Sequence, residues 1–161
     1  MIPDAAIFGL LNSGWTALLI LLSFLHEPRI WLSDFPKEMQ AVVPPKSAAE
    51  KRLERLWAVP ILGSMFLLPF AYALWWHSEQ DLAYLDAFLF FALCGLCFYV
   101  VDLVVLDWLV SVWWNPPWMR LEGAEAMAHH DNYWFHFVGF LQGLPILTFA
   151  AAIFALPFVW L

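Results

Sequence analysis

Four long apolar stretches dominate the chain, at about 5–25, 57–76, 87–112 and 137–160, and the segments between them collect the charge, proline and tryptophan. Each stretch is long enough to cross a hydrocarbon layer of ~30 Å at ~1.5 Å per helical residue. The pattern predicts an all-α polytopic membrane protein, with residues 1–161 forming a single membrane domain built as a four-transmembrane-helix bundle. Asp4, after Pro3, caps the free amides at the start of the first span. Pro60 and Pro69 fall inside the second, where proline kinks a membrane helix without forbidding it. Trp57, Trp75, Trp76, Trp108, Trp113, Trp114, Trp134 and Trp160 cluster at span ends, as an aromatic belt requires.

Between the first two stretches, segment 26–56 is patterned differently. After Pro44-Pro45, Ser47-Ala48-Ala49-Glu50 reads as a capping box that starts a charged helix from 48, running on into the second span. Upstream, Ile30, Trp31, Leu32, Phe35, Met39 and Val42-Val43 alternate with charged residues, which predicts a segment lying in the membrane interface. The loop from Trp113 to Gly123 is rich in Trp and Pro and is expected to fold back on the headgroup layer or to present a docking surface.

Charge adds an orientation. All seven Lys and Arg residues lie in two segments: Arg29, Lys37, Lys46, Lys51, Arg52 and Arg55 in 26–56, and Arg120 in the loop before the fourth span. The loop between the second and third spans holds Glu79, Asp81 and Asp86 instead. The positive-inside rule then places both long loops in the cytoplasm and both termini outside, in the periplasm of a bacterial inner membrane. The net charge of −7 excludes a nucleic-acid partner, which needs a basic face. With 63% hydrophobic and 13% charged residues, the surplus apolar surface must be taken up by lipid. The first stretch lacks a positive n-region and a cleavage site and is expected to stay as a membrane helix. No lipidation motif stands at either end.

Few residues can carry chemistry. Asp102 lies about ten residues inside the third span, where an ionisable group costs at least ~2.5–3.5 kcal/mol and must face the bundle. Ser64 and Gln142 lie at similar depth in the second and fourth spans, so the three predict a hydrogen-bonded clamp between helices. Nearer the boundary, Asp107 and His136 are at equal depth on spans joined by a moderate loop. They predict a structural latch with His26 as a third member. Ser64, Asp102, Asp107, His136 and Gln142 thus form the expected structural polar cluster. The rival is a metal site from His26, Glu27, Asp107, His129 and His136. The chain has no HExxH or Glu-x-x-His spacing, and no cofactor is expected. Only His136 is near a span, which disfavours bis-His haem. Cys94-Gly95-Leu96-Cys97 matches the C-x-x-C of membrane thiol oxidoreductases, but a thiol buried in a span is a poor nucleophile and no relay cysteine exists. Small residues at a helix contact explain it equally, as they do Gly9 and Ser13, with Asn12 as a hydrogen-bonding neighbour.

The run Val101-Asp102-Leu103-Val104-Val105-Leu106-Asp107-Trp108-Leu109, followed by a Pro-containing loop and Tyr133-Trp134-Phe135-His136-Phe137-Val138-Gly139-Phe140, resembles a recurring group of small uncharacterised bacterial four-span membrane proteins. The resemblance covers the last third of the chain and implies Asp102, Asp107, Trp108, Glu122, His136 and Gly139 as motif residues. The group's loop carries Pro-Gly-Thr-Glu where this chain reads Leu121-Glu122-Gly123-Ala124-Glu125. The resemblance implies topology, not a reaction. The expected function is that of an accessory or packing subunit, in contact with the lipid bilayer and with other membrane chains or copies of itself. The alternatives are a metal-dependent membrane enzyme or proton-coupled transporter using Asp102, Asp107 and His136, and a thiol redox protein using Cys94 and Cys97.

Overall fold

A computed structural model describes residues 2–124 and 133–160; the sequence candidates His129, His130 and Asp131 lie outside the described residues. Among the described residues all regular structure is helical. Four helices are long and apolar enough to cross a membrane, as the hydrophobic pattern predicts. Span 1 is Ile2–His26, span 2 is Ala48–Gln80, span 3 is Tyr84–Trp114 and span 4 is Tyr133–Val159. The helices extend beyond their apolar cores because charged and capped turns continue them into the polar layer.

The capping box forms. Ser47 Oγ accepts from the Glu50 amide at 3.2 Å, and the Ser47 amide donates to Glu50 Oε2 at 2.6 Å. The helix that starts there passes through Pro60 without stopping. It loosens into a π turn at Gly63–Leu67, between the two prolines that each remove a backbone donor. Span 2 ends on Asp81, whose φ of 47° is left-handed and whose amide donates to the His77 carbonyl. Asp86 accepts from the Ala83 amide to start span 3. Span 3 is α-helical over Tyr84–Val101 and π-helical over Asp102–Trp114, and it ends on left-handed Asn115 before Pro116-Pro117.

Span 3 is the centre of the bundle. It packs chiefly against span 1 and span 4, with span 2 against spans 1 and 3. At the end opposite the basic segments the interior is aromatic: Phe8 stacks on Tyr72 at 4.2 Å between ring centroids, and Tyr72 on Phe90 at 5.6 Å. Phe91, Phe154 and Phe158 close the same layer. Midway, Asn12 Nδ2 donates to the Ser64 carbonyl, and the Thr16 and Ser64 hydroxyls share a hydrogen bond at 2.9 Å in a fully buried setting.

At the other end the two basic segments meet. Leu32, Met39 and Val43 bury against Leu121 and Ala124, with Phe35 packed on them. Arg29 binds Glu50 through its Nε and the Pro44 carbonyl through its second nitrogen, while Lys46 bridges the Ile30 carbonyl and Glu54. Segment 28–43 is therefore a cap folded over the bundle end. The loop after span 3 completes it through buried Met119 and Leu121, and Trp113 and Trp114 at the end of span 3 are exposed.

Candidate functional site

Beneath this cap the bundle is not filled. A chamber of about 260 Å³ is walled by span 1 (Ile20, Leu21, Phe24), the cap (Trp31, Asp34, Phe35), span 3 (Asp102, Leu106, Asp107, Ser111) and the start of span 4 (Phe135, His136). Trp31 holds the roof in place: its indole N–H donates to the buried Ser23 hydroxyl at 2.8 Å and its ring stacks on Phe24 at 5.3 Å.

The π winding of span 3 makes the polar wall. In an α-helix five residues turn about 140° away from their starting face. An i→i+5 ladder winds at roughly 4.4 residues per turn and brings the fifth residue back to within about 50°. Asp102 and Asp107 are five apart and both face the chamber, as does Ser111 one further turn on. The Asn115 amide reaching the Val110 carbonyl at 2.8 Å shows the wide turn directly. Ser111 Oγ satisfies the Leu106 carbonyl at 2.9 Å.

His136 Nδ1 lies 3.0 Å from Asp107 Oδ1, each side chain about a quarter exposed or less. The two residues placed at equal depth by their sequence positions are therefore in contact. Asp102 lines the same space, half-buried, and Asp34 reaches it from the cap. Although Asp34 keeps an exposed surface, desolvation raises its carboxyl above the ordinary value; Lys46 opposes the rise and Glu54 adds to it.

A second, wider groove of about 770 Å³ opens between spans 2, 3 and 4 and shares Asp34, Asp102, Asp107, Phe135 and His136 with the chamber. Its further walls are apolar, including Met65, Phe98, Tyr99 and Phe140, and Gln142 lies along it with an exposed side chain. Among the described lining residues of both spaces none is Lys or Arg.

The other sequence candidates sit elsewhere. Ser64 faces span 1 and closes its hydrogen bonds on Asn12, Thr16 and the Ile61 carbonyl. The clamp expected among Ser64, Asp102 and Gln142 is replaced at Ser64 by a clamp between spans 1 and 2, while Gln142 is exposed on the groove. His26 accepts from the Trp57 indole at 3.1 Å and so stands apart from the Asp107–His136 pair. Glu27 caps the turn that begins the cap by accepting from the Arg29 amide. Among the described residues no three His, Cys, Asp or Glu side chains are grouped to hold a metal ion. Cys94 is buried and Cys97 half-buried, both as free thiols against Gly9 of span 1.

Asp34, Trp31, Ser111 and Phe135 were not legible as site residues. The one available signal was the carboxylate set between Leu32 and Phe35 in a segment expected to lie in the interface. No protein-family model, no curated protein and no solved structure matches this chain.

Proposed function

We propose that this chain is a multi-pass membrane protein that binds a small ligand, and exchanges a proton with it, in the Asp34–Asp102–Asp107–His136 chamber. The observation that carries this reading is the chamber itself. Asp34 from the cap, Asp102 and Asp107 from span 3 and His136 from span 4 line one unfilled space, and holding the two partly buried span carboxylates beside a void costs stability that a ligand or proton site would justify. The aromatic layer at the far end closes the bundle, which supports a site open from one side rather than a channel.

The reading includes an orientation: cap and chamber in the cytoplasmic half, both termini periplasmic, in a bacterial inner membrane. Its support is the one-sided placement of all seven Lys and Arg residues. Single cysteines introduced at Ser78 and at Ser47, in a background lacking Cys94 and Cys97, test it in intact cells. Ser78→Cys is expected to react with an impermeant maleimide from outside, and Ser47→Cys only after permeabilisation. The opposite pattern inverts the protein.

A hydrophobic carbodiimide tests the proton exchange, since it modifies protonated carboxyl groups within apolar surroundings. The expected result is one dominant adduct, on the peptide containing Asp102, forming faster as pH falls and absent in Asp102→Asn. Modification confined to Asp4, Asp81 or Asp86, outside the chamber, would rule the reading out.

A further inference from the structure

We infer that the ligand is a single-chain amphiphilic cation, an amine head on an alkyl chain, with its head in the chamber and its chain in the lateral groove. The inference rests on the chamber being a ligand site and adds the ligand's chemistry.

The head is assigned by charge and by rings. Three carboxylates line the chamber with one imidazole and, among the described residues, no Lys or Arg; Lys46 outside the lining offsets part of the Asp34 charge, and Glu54 adds to it. That field repels an anion and attracts a cation. Phe24, Trp31, Phe35 and Phe135 line the same chamber as the carboxylates, and aromatic rings beside an ammonium add attraction that a small hydrated metal ion would not use. A phospholipid amine is disfavoured by the same lining, because its phosphate would meet carboxylates and no basic side chain.

The chain is assigned by the groove. It joins the chamber at Asp102, Asp107, Phe135 and His136, and it runs outward between spans 2, 3 and 4 over apolar side chains. Both walls belong to helices that cross hydrocarbon, so a chain lying there leaves the bilayer only in part while its head reaches the carboxylates. Gly139 is exposed on this groove, and a Cβ built on it meets nothing within 4 Å. The groove is therefore open to the surface at Gly139.

Binding of radiolabelled dodecyltrimethylammonium to the full chain in phosphatidylcholine nanodiscs tests this, with empty nanodiscs subtracted. Saturable binding is expected, displaced by dodecylamine and not by dodecanoate, with tetramethylammonium at least tenfold weaker. Asp102→Asn is expected to weaken binding of both cations at least tenfold. Gly139→Leu fills the groove without collision and is expected to remove the advantage of the long chain, so that the two cations bind alike. Equal displacement by dodecanoate would overturn the inference, as would a long-chain advantage that survives Gly139→Leu. If tetramethylammonium binds as well as its dodecyl analogue, the amphiphile is wrong and the chamber reading stands. If no cation binds while the carbodiimide still labels Asp102, the cation is wrong and the proton-exchanging chamber again stands. Loss of both results removes the chamber reading itself.

Discussion

Gly9→Leu is expected to destabilise the bundle by about 3 kcal/mol, at the upper end of the usual cost of over-packing. A Cβ on Gly9 would stand 3.3 Å from the Cys94 Cα and 3.2 Å from the Cys97 Sγ. The nearest obstacle includes backbone of span 3, which cannot swing aside as a side-chain tip can. Leucine adds three further carbons beyond that Cβ, so spans 1 and 3 must separate along the most extensive helix contact in the molecule. Lipid offers no hydrophobic gain for bringing them back, and close packing of small residues is what holds membrane helices together. Gly14→Leu is the matched control: it is exposed on the same helix, with nothing within 4 Å of its Cβ, and is expected to leave stability within about 0.5 kcal/mol. Thermal or denaturant midpoints of the two variants in one detergent measure the difference. Equal midpoints would show that Gly9, Cys94 and Cys97 do not set the approach of these helices. The same contact places the C-x-x-C pair at a close helix interface, where small residues pack.

His136→Leu is expected to cost about 1–3 kcal/mol, because it leaves the Asp107 carboxylate in a half-buried site without its partner. The cost stays below that for fully buried pairs because the two side chains keep 19% and 26% of their surface exposed. Asp107→Leu should cost less, since an imidazole loses less than a carboxylate when left without a partner in a half-buried site. The double variant Asp107→Leu/His136→Leu should recover part of the loss, as replacing both members of a hydrogen-bonded polar pair by apolar groups commonly does. A double-mutant cycle on unfolding free energies reads the coupling directly. A coupling near zero would mean that the 3.0 Å contact is incidental, and the chamber would lose the pair that fixes its wall.

The sequence by itself determined the number of spans, the capping box at Ser47 and the gathering of the basic residues into two segments. These are properties of the chain read in one dimension. Crossing lipid requires a long apolar run whatever its neighbours, and a cap is settled within four residues. The depth of a residue along its span is almost as local, which is why Asp107 and His136 can be matched by counting residues from the span ends. The direction a side chain faces is not local. Counting at α-helical pitch turns Asp102 away from Asp107, and only the π winding of Asp102–Trp114 brings both, with Ser111, onto one wall. Ser64 likewise faces Thr16 on span 1, a choice of face that depth along the span does not specify. The cap was decided entirely by tertiary contact. Leu32, Met39 and Val43 meet Leu121 and Ala124 from the far side of two spans, and that packing carries Trp31 and Asp34 over the bundle. The length of an apolar run sets which helices can cross a membrane, whereas winding and packing between distant segments set which polar groups share a space.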